Sequence, residues 1–110
     1  MTNTESIIKT CKDHLEFCVL QIISRGETKI SDLITELIDV NLINVEGTIY
    51  PILNQMHLKS LITDRLEEIP ELGLSKKIYT ITDEGKTKLV LLSTKWDVLV
   101  RATNQITSKN

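Results

Sequence analysis

The sequence predicts a mainly helical domain with a small β-wing and a long C-terminal helix. Three observations carry this reading. The stretch Glu46-Gly47-Thr48-Ile49-Tyr50-Pro51-Ile52-Leu53 opens an amphipathic run that ends at Ser60-Leu61-Ile62. Two alternating segments follow, separated by Ile69-Pro70-Glu71-Leu72-Gly73-Leu74. Tyr79-Thr80-Ile81-Thr82-Asp83-Glu84-Gly85 then begins a helix whose apolar seam continues to Ile106. Helix, two-stranded ribbon, helix is the order of a winged helix-turn-helix, extended here by a C-terminal helix suited to dimerisation.

The totals narrow the class. A chain of 110 residues holds one domain with one core. Its 41% hydrophobic and 25% charged residues are those of an ordinary globular protein. No apolar run approaches the roughly 18 residues that a membrane helix needs. Met1-Thr2-Asn3-Thr4-Glu5 has neither the basic nor the apolar region of a signal peptide. A cytoplasmic protein is expected. The formal net charge of −2 offers phosphates no general attraction. Nucleic-acid binding would rest on small basic clusters such as Lys76-Lys77 and on neutral hydrogen bonders. Cys11 and Cys18 would stand about 10 Å apart along one helix at 1.5 Å per residue. That is too far for a disulfide, and a cytosolic chain keeps its thiols reduced.

The elements follow in order. Residues 5–24 read as a helix, because Ile8, Cys11, Leu15, Cys18 and Ile22 recur at spacings of three and four. Ile7, Val19 and Ile23 widen the stripe, which implies burial on more than one side. Arg25-Gly26 closes the helix, with Gly beyond the last turn. Ser31 is the expected N-cap of a second helix whose inner face is Ile30, Leu33, Ile34, Leu37 and Ile38. Asp39 to Asn44 is a turn, with Asn41 and Asn44 as stop and start signals. The third helix begins between Asn44 and Thr48, runs to about Ser60, and buries Ile49, Ile52, Leu53 and Met56. Pro51 must lie near its start, since Pro deeper in a helix loses a hydrogen bond and clashes. Ile62 to Glu67 and Lys77 to Ile81 alternate as strands do, with residues 69–74 as the wing loop. Thr82 or Asp83 caps the last helix.

In that helix Leu89, Leu92, Trp96, Leu99, Thr103 and Ile106 repeat at three, four, three, four and three. This is a heptad seam, which packs against another helix. A single small domain has no intrachain partner long enough to cover it, so a second copy of the chain is expected. Residues 1–82 are read as the winged-helix domain with its N-terminal helix, and 83–110 as the dimerisation helix, together one compact unit. The sequence has no internal repeat, low-complexity segment or linker.

Gly47-Thr48-Ile49-Tyr50-Pro51 resembles the glycine-threonine-aliphatic-tyrosine-proline motif that begins the recognition helix of the PadR-like transcription regulators. Leu61-Ile62 opens the wing as in that family. Lys77-Ile78-Tyr79-Thr80-Ile81-Thr82-Asp83-Glu84-Gly85 is similar to the basic strand and the threonine-acidic-glycine helix start that close it. Trp96 matches a tryptophan common in the family, which lines a cavity at the dimer interface in the short, multidrug-binding branch. The resemblance implies a dimeric regulator that binds DNA. It departs where family members carry a histidine-glycine-tyrosine stretch and this chain has Thr28-Lys29-Ile30-Ser31. The usual basic residues of the recognition helix are replaced by Asn54 and Gln55, and the wing carries Glu67, Glu68 and Glu71.

Candidate DNA-binding residues are Thr48, Tyr50, Pro51, Asn54, Gln55, Lys76 and Lys77. Asn54 and Gln55 fall on the outer face of the third helix, where Asn and Gln read adenine through paired hydrogen bonds. Tyr50 and Thr48 would donate to phosphates beside the helix N-terminus. Lys76 and Lys77, at the base of the second wing strand, would grip the backbone, with Arg65 a lesser candidate. A solvated polar face and plain surface lysines are the bland alternatives. Candidate dimer residues are Cys11, Leu15, Leu89, Leu92, Trp96, Leu99 and Ile106. Trp96, Leu15 and Val19 would line a site for a planar aromatic molecule, with Asp97 or Asp13 neutralising a cationic one. Ordinary dimer packing of Trp96 is the alternative.

Cys11, His14 and Cys18 share a stripe but have no fourth ligand, so buried structural cysteines are expected in place of a metal site. His57 has no assigned role. No phosphate-cradling Gly loop, nucleophile elbow or two-His metal motif is present, so neither enzyme activity nor a cofactor is expected. The reading is a dimeric repressor that places its third helix in the major groove of each half of a palindromic operator in double-stranded DNA. Two alternatives stand beside it. One is a winged-helix protein-interaction module using the acidic, apolar wing. The other is a plasmid or phage DNA-organising protein binding tandem sites.

Overall fold

A computed structural model describes residues 12–109. The elements are α1 (Lys12–Ile23), β1 (Thr28–Lys29), α2 (Ile30–Asp39), a 3-10 turn (Glu46–Thr48), α3 (Ile49–Leu58), β2 (Ile62–Ile69), a second 3-10 turn (Pro70–Leu72), β3 (Leu74–Ile81) and α4 (Asp83–Thr107). The antiparallel sheet has the order β1-β3-β2. The fold is therefore mainly helical with a wing and a long last helix, as the sequence implies. The predicted first helix is present from Lys12, and its earlier part lies outside the described residues.

One core joins the helices. Leu15, Val19, Leu20 and Ile23 of α1 meet Leu33 and Leu37 of α2, while Ile49, Ile52, Leu53 and Met56 close it from α3. Ile43, Ile62 and Tyr79 fill the gaps between helices and sheet. No helix among the described residues is long and apolar enough to cross a membrane.

The ends of α2 and α3 share one solution. Asn41, with φ 62°, donates its N–H to the Ile38 carbonyl, and Leu42 donates to Leu37 at 3.0 Å. Ser60, also at φ 62°, donates to His57, and Leu61 donates to Met56, both at 3.0 Å. This is the Schellman closure, in which a left-handed residue satisfies the last carbonyls and an apolar residue folds back on the helix.

Three local expectations are corrected. Ser31 does not cap α2: the cap position is Lys29, in extended conformation with no side-chain capping bond. Thr28 and Lys29 are instead a short strand, paired with Tyr79 and Ile78. The wing strands are also longer than their alternation indicated, with the ladder running to Ile69↔Leu74. Gly73, at φ 63°, turns the chain within four residues, so pairing continues to the tip. Helix α3 ends at Leu58, two residues early, because the left-handed Ser60 stops it.

Candidate nucleic-acid interface

Helix α3 divides cleanly. Ile49, Ile52, Leu53 and Met56 face the core, while Tyr50, Pro51, Asn54 and Gln55 are exposed together on the outer side. Pro51 is the third residue of α3, where the missing N–H has no intrahelical acceptor to leave empty. Thr48 is half-buried and makes no side-chain cap. Sequence reasoning missed Glu46, one turn before Tyr50. The Tyr50 hydroxyl donates to Glu46 Oε1 at 2.9 Å. That bond, with lesser help from desolvation and the Glu46 charge, raises the Tyr50 pKa. Tyr50 reaches a phosphate only by exchanging this partner. The i, i+4 spacing was the available signal.

The wing does not present its cations as one patch. Lys76 is opposite Glu67 and Lys77 opposite Leu66, so both sit in the middle of the ribbon and not at its base. Adjacent strand residues point to opposite faces, so the two lysines cannot grip one strand of backbone together. Lys77 Nζ lies 3.2 Å from Asp64 Oδ2. Its pKa is raised first by that hydrogen bond and then by the charges of Tyr79 and Asp64. Arg65 bonds Glu27 Oε2 at 2.9 Å and stands 3.9 Å from Glu67. Each of these two cations thus already holds a carboxylate of its own chain.

The last helix begins at Thr82, whose side chain accepts the Gly85 N–H at 2.9 Å. Leu89 and Leu92 pack partly against the protomer's own core. Trp96, Leu99 and Ile106, with Val90, Leu91 and Val98, are exposed. An open cleft of about 340 Å³ lies between α1 and α4, lined by Asp13, His14, Phe17, Leu92, Lys95, Trp96 and Leu99. The His14 and Trp96 rings are 4.5 Å apart at 37°, and Phe17 meets His14 edge-on at 5.7 Å.

Leu15 and Val19 do not belong to this cleft or to an exposed dimer face. They are 1% and 0% exposed within the protomer's own core. His14 and Phe17, on the neighbouring stripe of α1, take the places expected for them. Asp13 lines the cleft and Asp97 does not. Cys11 lies outside the described residues. Cys18 is half-buried, and burial raises its thiol pKa.

A core-anchored helix with a polar outer face, followed by a β-ribbon and a long apolar helix, defines a winged-helix regulator. The sequence matches the transcriptional regulator PadR-like family over residues 19–90, and the chain belongs to that family. It is a PadR-like, DNA-binding winged-helix transcription regulator and not an enzyme. A PadR-like transcriptional regulator from Bacillus cereus strain ATCC 14579 is 34% identical, with 89% of this chain and 95% of that chain covered and a TM-score of 0.78. A Streptococcus transcriptional regulator is 28% identical over 92% of this chain and 97% of that chain, with a TM-score of 0.78. Bacillus subtilis PadR, solved in complex with operator DNA, is 28% identical over 68% of this chain and 44% of that chain, with a TM-score of 0.61. Comparison with curated proteins returns no match.

Proposed function

We propose that the chain is a homodimeric repressor whose two α3 helices enter successive major grooves of a palindromic operator. The observation that carries this reading is the exposed apolar band of α4, Leu91, Trp96, Leu99 and Ile106, in the same protomer as a reading helix with a polar outer face. A second copy covers that band and fixes the distance between two reading helices. Binding of operator DNA by Bacillus subtilis PadR supports the DNA-binding part of this reading. Asn54 and Gln55 read base edges, Thr48, Tyr50 and the N-terminal end of α3 position phosphates, and Lys76 or Lys77 adds a backbone contact. A flat aromatic molecule entering beside Trp96 changes the angle between protomers and releases DNA.

Selection of bound duplexes from a random pool tests this. The expected result is an inverted repeat with half-sites about one helical turn apart. Transcription in vitro from a promoter carrying that repeat should fall on adding the protein. A long tandem footprint would instead indicate a DNA-organising protein, and no enrichment at all would sink the reading. The pairing of Arg65 and Lys77 with carboxylates favours one further reading, a wing that contacts a protein. Such a contact would survive removal of DNA.

A further inference from the structure

The end of α3 and the start of α4 are bonded at a single point. Leu61 donates its N–H to the Met56 carbonyl at 3.0 Å, which closes the last turn of α3. The Leu61 carbonyl accepts the Thr82 N–H at 3.1 Å. Thr82 Oγ1 stands 2.6 Å from the Ser60 carbonyl oxygen and 3.0 Å from that of Leu61. It also accepts the Gly85 N–H in the first turn of α4. Gly85 is buried, and a Cβ there would collide with the Leu61 carbonyl oxygen and Ile81 Cγ1. Leu61 therefore holds the reading helix through its N–H and the dimerisation helix through its C=O.

A helix cap needs only the bond from Gly85 to Thr82. The hydroxyl proton of Thr82 goes elsewhere, across to the α3–β2 corner, and the missing Cβ of Gly85 lets α4 sit directly on that corner. These contacts remove hinge freedom at the one place where α4 leaves the sheet. The geometry points to Thr82 and Gly85 as positioning residues that set the angle between α3 and α4 and thereby select the operator's half-site spacing. This inference rests on the two-half-site reading above. The lever is long: 25 residues at about 1.5 Å each span about 37 Å, so a tilt of ~10° moves the far end by ~6 Å. One base-pair step is about 3.4 Å.

The test uses duplexes carrying two copies of the selected half-site, with spacers varied one base pair at a time, and a duplex with a single half-site. Wild type, Thr82→Ser, Thr82→Val and Gly85→Ala are compared, with thermal unfolding followed in parallel. Wild type and Thr82→Ser should share one sharp optimum. Thr82→Val, which loses both the hydroxyl's donated bond and the Gly85 cap, and Gly85→Ala, whose new Cβ meets the Leu61 carbonyl, should each lose about tenfold or more at that spacing. Their optimum should broaden or move by a base pair or more, while single half-site binding stays as in wild type. Thr82→Val is nearly isosteric, so it keeps the test alive if Gly85→Ala does not fold. An equal loss at every spacing, or an unchanged profile, would leave both residues as stability elements and overturn the inference. A wild type without any preferred spacing would overturn the two-half-site reading and this inference with it.

Discussion

At the residue scale, the outer face of α3 carries neutral hydrogen bonders where charge would give affinity without choice. Asn54 and Gln55 are exposed, and α3 carries no Lys or Arg. Asn54→Ala and Gln55→Ala should cost about 1–3 kcal/mol on the selected operator and much less on unrelated DNA. Parallel titrations of both duplexes read the difference, and equal losses on both would remove these residues from base reading. The wing behaves differently, because its cations are occupied. Lys77→Ala should weaken all sequences alike and only slightly, since Asp64 already holds the ammonium. Asp64→Asn frees Lys77, so binding should tighten and the slope of log affinity against log salt should steepen by up to ~1. A slope unchanged from wild type would mean that Lys77 never meets a phosphate. The division of α3 into inner and outer faces was legible in the sequence, because 3.6-residue periodicity sorts faces directly. The partners of Lys77 and Arg65 were not. Lys77 and Asp64 lie thirteen positions apart in the sequence, and only ribbon register brings them together.

At the element scale, strong local signals gave the helices and weak ones hid the edges. The α4 start was readable from Thr82 and Gly85 as a cap pattern, yet its contact with Leu61 is tertiary and has no local signature. Strand β1 was invisible because two residues cannot show alternation, and only its pairing with β3 defines it. The wing tip was read as a longer loop for a similar reason. Apolar and acidic residues mix there, but backbone pairing does not depend on that pattern. Ser60 was hidden too, since it holds a left-handed conformation that glycine or asparagine usually fills. Its φ of 62° strains an L-residue by about 1–2 kcal/mol. Glycine relieves this but adds freedom to the unfolded chain, an opposing term of about 0.4–1 kcal/mol. Ser60→Gly should therefore raise stability by about 0.5–1 kcal/mol, seen as a higher urea midpoint at unchanged slope. A lower midpoint would mean that the Ser60 side chain contributes more than its backbone strain costs. Asn41 holds the same φ just beyond the end of α2 and should gain less, because asparagine already tolerates that region.

At the scale of the whole molecule, the seam of α4 divides its labour. Leu89 and Leu92 pack against the chain's own core, and the remainder is exposed, the surface the proposed dimer would cover. Light scattering at micromolar concentration should give twice the 12.5 kDa chain mass. Ile106→Glu places a charge in the exposed band, away from the cleft, and should return the mass to a folded monomer. The dimer and the cleft can then be tested together. Trp96 is the only tryptophan and is 43% exposed in the protomer, with His14 against one side of its ring. A planar aromatic cation stacking there would quench its fluorescence. One aromatic pair adds about 0.5–1.5 kcal/mol beyond area burial, whereas micromolar affinity needs about 8 kcal/mol. A single open cleft supplies too little enclosure for that, but two clefts meeting across a dimer axis would cover both faces of the ligand. Quenching by a panel of flat dyes should therefore saturate in the micromolar range for the wild type and weaken at least tenfold in Ile106→Glu. His14→Ala should change the affinity in the dimer, because it removes the ring that competes for the Trp96 face. Equal quenching of dimer and monomer would place the ligand on a single protomer. No quenching by any dye, with the dimer intact, would leave Trp96 as packing alone and remove ligand control from the proposed function.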